Sequence, residues 1–71
     1  MYKLYWGNYS SGYSLIGEYK NRKSMSSAMN EYLKEIKFKN YYFRQWNDDE
    51  GFTMCDYGSH TNFFKFKNED E

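Results

Sequence analysis

The chain has 71 residues, ten basic and ten acidic side chains, and 17 aromatic rings: nine Tyr, six Phe and two Trp. That length supports one domain, and so short a chain buries only about 60% of the surface its unfolded form exposes. A single cysteine excludes an internal disulfide, one cysteine with one histidine excludes a Cys/His zinc cluster, and no apolar run is long enough to span a bilayer.

The first stretch, MYKLYWGNYS, has neither an apolar h-region nor a small-residue cleavage site, which predicts a cytosolic protein. Within it, YKLYW alternates: Tyr2, Leu4 and Trp6 share one face, Lys3 and Tyr5 the other, as in a half-buried strand. GNYSSG (7–12) is a turn cluster. YSLIGEYK (13–20) alternates again and sets Tyr13, Leu15, Gly17 and Tyr19 against Ile16 and Glu18. The two runs predict a hairpin, and Gly17 inside a strand points to a bulge or a close backbone approach.

From residue 21 the period changes. Met25, Met29, Tyr32 and Ile36 recur at i, i+4, i+7 and i+11, with Ala28 and Leu33 alongside, which predicts an amphipathic helix within 21–40. Ser24 is a candidate N-cap, with Ser26 as the rival. Lys34, Lys37 and Lys39 crowd the C-terminal half, where the helix dipole favours cations. Glu35 and Lys39 form an i,i+4 pair, and Asn40 suits the left-handed cap.

YYFRQW (41–46) and FTMCDY (52–57) read as strands joined by the polar turn NDDEG (47–51). GSHT (58–61) turns the chain again. NFFKFK (62–67) is a last strand with Phe64 and Phe66 on one face and Lys65 and Lys67 on the other. The order β-β-α-β-β-β predicts an α+β domain over residues 1–67: a largely antiparallel sheet with one helix on one face, followed by a polar tail at 68–71. Met25, Met29, Leu33 and Ile36 are expected to face Leu4, Trp6, Leu15, Phe43, Met54 and Phe64.

Catalytic chemistry finds few residues. Cys55 and His60 are the only nucleophile and base of the familiar type, yet Asp56 adjoins the cysteine and no cation lies close in sequence to lower its pKa. Asp48, Asp49 and Glu50 crowd a turn, with no cleft to desolvate them. NDDEG has too few ligands for a calcium loop, and GNYSSG lacks the lysine and helix of a phosphate loop. No metal or other cofactor is expected. In DYGSHTNFF (56–64) every residue has a turn role: Asp56 and Ser59 form turns, Gly58 reaches positive φ, and Thr61 and Asn62 bond nearby backbone. The stretch reads as a corner and not as an active site.

The ring count points elsewhere. Each enclosed aromatic buries roughly 150–250 Å², and 17 exceed what so small an interior holds. The surplus suits an interface, with Tyr5, Tyr9, Tyr42 and Trp46 as candidate anchors. Charge is also uneven. Residues 20–44 carry seven cations against two anions (+5), and residues 45–71 two cations against seven anions (−5). The hairpin carboxylates Asp48, Asp49 and Glu50, and a corner contact of Asp56, Tyr57 and His60, would complement a basic protein partner. A homodimer is a further use of the surplus rings. The alternative is a single-stranded nucleic-acid binder, with bases stacked on an aromatic sheet face and phosphates followed by Arg22, Lys23 and Arg44. Zero net charge and the lack of an RNP motif weigh against it.

With its length, the start MYKLYWGNYSSG, the strand YYFRQW and the closing DYGSHTNFF, the chain resembles the short accessory proteins of phages and mobile elements of low-GC Gram-positive bacteria, of the anti-defence or host-takeover type that includes anti-CRISPR proteins. The resemblance implies stoichiometric inhibition of a host or defence protein, such as a CRISPR nuclease. The chain departs from the strongly acidic DNA mimics of that group, because seven cations crowd residues 20–44.

Overall fold

The computed structural model describes residues 1–38, 43–59 and 61–69. Among these residues are five strands and one helix: β1 (Tyr2–Asn8), β2 (Gly12–Tyr19), α1 (Arg22–Glu35), β3 (Arg44–Asn47), β4 (Thr53–Asp56) and β5 (Phe63–Asn68). The strands form one sheet in the order β2-β1-β5-β4-β3, every pair antiparallel. This is the α+β architecture that the alternation of periods predicts.

Helix α1 leaves one edge strand and leads to the other. Its 14 residues span about 21 Å at the usual rise. The outer strands of a five-stranded sheet are about 19 Å apart, so one helix suffices to cross it. Asn21, not Ser24 or Ser26, is the N-cap: its side chain accepts from the Ser24 amide at 2.8 Å. The helix begins almost directly after β2, and Asn21 is the residue with extended backbone at that point. At the other end the Phe38 amide donates to Leu33 and the Lys37 amide to Lys34, with Lys37 at φ 57°. That is a Schellman stop, with Phe38 packed back on the core. Ile36 thus lies past the helix as its cap and is exposed, where periodicity had placed it inside. Asn40, the expected left-handed cap, and Lys39 of the expected Glu35–Lys39 pair lie outside the described residues; Lys34 pairs with Glu31 at 3.7 Å.

The core lies between α1 and the sheet: Met25, Met29 and Leu33 from the helix against Leu4, Cys55, Tyr57, Phe64 and Phe66. Trp6 and Tyr32 pack at its margin, their rings 5.2 Å apart. Besides Ile36, three residues expected on the sheet side of the core are elsewhere. Phe43 is exposed just before β3. Met54 is buried but sits in the cross-strand row of Lys65 and Trp46, on the face away from the helix. Leu15 is exposed because β2 carries a bulge: Leu4 pairs with Gly17 and Tyr5 with Leu15, so Ile16 has no partner. One extra residue reverses the alternation. Ile16 and Tyr19 pack on the core, while Tyr13 and Leu15 turn to the opposite face. Gly17 serves the bulge and a close approach together, since a Cβ there would meet the Tyr19 hydroxyl at 2.7 Å.

Residues 68 and 69, expected in the polar tail, are tied to the sheet. β5 runs through Asn68, the Glu69 amide donates to the Met1 carbonyl at 2.9 Å, and Glu69 lies 3.8 Å from Lys3.

Candidate functional site

Cross-strand partners share a face of a sheet, so the pairings define the surface that α1 leaves uncovered. One row crosses all five strands: Leu15, Tyr5, Lys65, Met54 and Trp46. The next row holds Tyr13, Gly7 and Phe63. Gly7 has no room for a side chain, because a Cβ would stand 2.2 Å from the Gly12 carbonyl oxygen.

The rings on this face touch in sequence. Trp46 packs edge-on to Phe63 at 6.2 Å, Phe63 meets Tyr9 at 6.5 Å, and Tyr9 meets Tyr13 at 6.1 Å. Tyr9 comes from the β1–β2 turn, where Asn8 Oδ1 accepts from the Ser10 and Ser11 amides and Gly12 takes φ 87°. An open groove of about 390 Å³ lies there, lined by Asn8, Tyr9, Ser10, Ser11, Thr61 and Phe63. At the centre the Lys65 ammonium stands 4.2 Å from the Phe52 ring centroid and 4.3 Å from that of Tyr13. Burial above all, then Tyr9 and Asp48, pushes the Tyr13 phenol above its ordinary value.

Phe52 reaches this face because the β3–β4 turn folds over it. Asp48 Oδ1 accepts from the Glu50 and Phe52 amides, the Asp48 amide donates to the Phe52 carbonyl, and Gly51 takes φ 87°. Asp48 is therefore a turn former with its carboxylate engaged, while Asp49 and Glu50 point to solvent.

The ten candidate contact residues divide accordingly. Tyr9 (78% exposed) and Trp46 (43%) lie at the surface with Asp49 and Glu50. Tyr5 and Asp48 are half-buried. Asp56 and Tyr57 are interior, which corrects the corner contact. Asp56 accepts from Arg44 Nη2 at 3.1 Å and from the Gly58 amide at 2.9 Å. Tyr57 is 1% exposed, accepts from Trp6 Nε1, and packs against Phe38 and Phe64. Tyr42 and His60 lie outside the described residues. The corner carries part of the expected turn bonding: besides Asp56 with Gly58, Ser59 Oγ accepts from the Thr61 and Asn62 amides, while the Asn62 side chain accepts from Asn8 Nδ2 and not from nearby backbone.

Cys55 is 0% exposed, and burial, with Asp56 adding to it, pushes its thiol up to about 11 against a smaller opposing effect of a Gln45 hydrogen bond. A thiol so placed is protonated at neutral pH and out of reach of substrate. Among the described residues no group of three or more metal-ligating side chains occurs, and no helix is long and apolar enough to cross a membrane.

The face also holds five residues that are not among the ten candidates: Tyr13, Phe52, Phe63, Lys65 and Leu15, the last of them expected in the core. Phe63 was readable, since it alternates with Phe64 and Phe66. Leu15 and Tyr13 were not, because the bulge that turns them outward leaves only Gly17 as its mark. No known protein family, curated protein or solved structure matches the chain.

Proposed function

We propose that this protein works by binding, without catalysis: a docking module in the cytoplasm that engages a protein through the open sheet face, as a stoichiometric inhibitor of a host or defence protein. One observation carries the reading. Of the fifteen aromatic residues described, only Tyr57, Phe64 and Phe66 are buried, and the rest include a continuous cluster on the face that α1 leaves uncovered. Tyr and Trp are the side chains that dominate binding energy at interfaces. Asp49 and Glu50 border the cluster at the hairpin tip, which favours a partner with basic residues beside an apolar patch.

The test is a double charge reversal, Asp49→Lys with Glu50→Lys, measured against the partner isolated from the native host. Asp48 is left intact because it holds the turn. Affinity is expected to fall with the fold unchanged and to become less salt-sensitive. Unchanged affinity removes the hairpin from the contact. Sedimentation distinguishes a second copy of the chain as the occupant.

One observation favours a second reading. Lys65 and Lys67 lie among the rings of the same face, a pairing of cations with aromatic surfaces that suits single-stranded nucleic acid. Fluorescence anisotropy with a single-stranded oligonucleotide at low salt decides it: a salt-dependent rise supports this reading, and no rise at micromolar protein rejects it.

A further inference from the structure

The Lys65 side chain does more than lie on the sheet. Three rings surround its ammonium: Phe52 at 4.2 Å, Tyr13 at 4.3 Å and Tyr5 at 5.8 Å from ring centroid to nitrogen. All are within the range at which a ring's negative face attracts a cation. They come from three separate segments, β1, β2 and the β3–β4 turn. Tyr5 and Phe52 stand nearly at right angles, 82° between planes with centroids 5.7 Å apart, so they form two walls of a corner. The Tyr13 hydroxyl is buried without a hydrogen-bond partner among the described residues.

We propose that Tyr5, Tyr13 and Phe52 form an aromatic cage for an alkylammonium group, that Lys65 fills it in the free protein, and that a lysine side chain of a protein partner is the group that replaces it. The last step rests on the docking function proposed above; the cage itself does not. Three observations support the cage. The walls hold together without the plug, because Tyr5 and Phe52 pack on each other and Asp48 fixes the turn that presents Phe52. The Asp48 carboxylate acts on the Tyr13 phenol and so places a negative charge near the cage, which favours a cation there. Lys65 also stands in mid-row, between Tyr5 and Met54, so its withdrawal opens a space on the exposed face and leaves the core intact.

The experiment uses tetramethylammonium chloride as the probe, with sodium chloride at equal ionic strength as the control. Ring proton resonances of Tyr5, Tyr13 and Phe52 are followed by NMR in the wild type and in Lys65→Ala. The variant is expected to give saturable shifts and to bind at least ~10-fold more tightly than the wild type, in which Lys65 competes. A folded Lys65→Ala protein with no saturable shift overturns the cage. Equal binding in both proteins overturns the plug. Should Lys65→Ala fail to fold, the wild type still decides: the Lys65 ε-methylene protons are expected upfield of those of Lys34, which is exposed, and identical positions overturn the proposal. No partner enters these measurements, so their failure leaves the docking function standing, and loss of the docking function leaves the cage intact.

Discussion

The indole N–H of Trp6 donates to the hydroxyl of Tyr57 at 2.9 Å, between residues 51 positions apart. The bond ties β1 to the end of β4 under the helix. Tyr57 brings the Phe38 and Phe64 rings to 5.0 and 5.1 Å. Tyr57→Phe keeps the ring and removes the acceptor, so the fold is expected to lose about 1–2 kcal/mol in urea unfolding. Tyr57→Ala also leaves a cavity and is expected to lose about 3–5 kcal/mol. Equal stability of Tyr57→Phe and wild type would contradict a stabilising role for the bond.

Lys37 occupies the left-handed position that ends α1, at φ 57°. A side chain there costs roughly 1 kcal/mol relative to glycine. Lys37→Gly is accordingly expected to raise stability by about 1 kcal/mol, seen as a higher urea midpoint at unchanged slope. A lower midpoint would contradict the cap geometry.

Burial of the Cys55 thiol makes stability depend on alkaline pH. Its folded pKa of about 11 stands above the ordinary 9.0. Unfolded thiol therefore loses its proton first, and the contribution, complete below pH 9, is lost as pH rises to about 11. The loss is on the order of 2 kcal/mol. The Tyr13 and Tyr32 phenols, also raised chiefly by burial, act in the same direction at higher pH. Urea midpoints from pH 8 to 10.5 are expected to fall more steeply for wild type than for Cys55→Ala. Parallel slopes would place the thiol in solvent, as would rapid modification of the native protein by a thiol reagent.

Much of the fold was legible because its period is undisturbed. β5 alternates without a break, so Phe64 and Phe66 point to the helix and Lys65 and Lys67 away from it. Met25, Met29 and Leu33 line up along α1 for the same reason. The candidate site was less legible, and three residues show why. Leu15 follows the alternation of β2 until Ile16 bulges, and Gly17, the one local mark of the slip, does not say which residue loses its partner. Tyr57 sits in a run of turn formers, so sequence reads it as a corner residue; its burial depends on Trp6 and Phe38, which approach only in the folded chain. Asp48, Asp49 and Glu50 look alike as a charge run, but only Asp48 is positioned to cap the turn.

Tyr9 and Trp46 bear most directly on the binding function, because both are exposed and neither belongs to the core cluster. The decisive measurement is the affinity of Tyr9→Ser with Trp46→Ser for the partner isolated from the native host, taken alongside the urea midpoint. The binding account predicts at least a ~10-fold loss of affinity with stability changed by less than about 1 kcal/mol. Wild-type affinity in a folded double variant, or a collapse of stability showing that these rings hold the fold together, would contradict it.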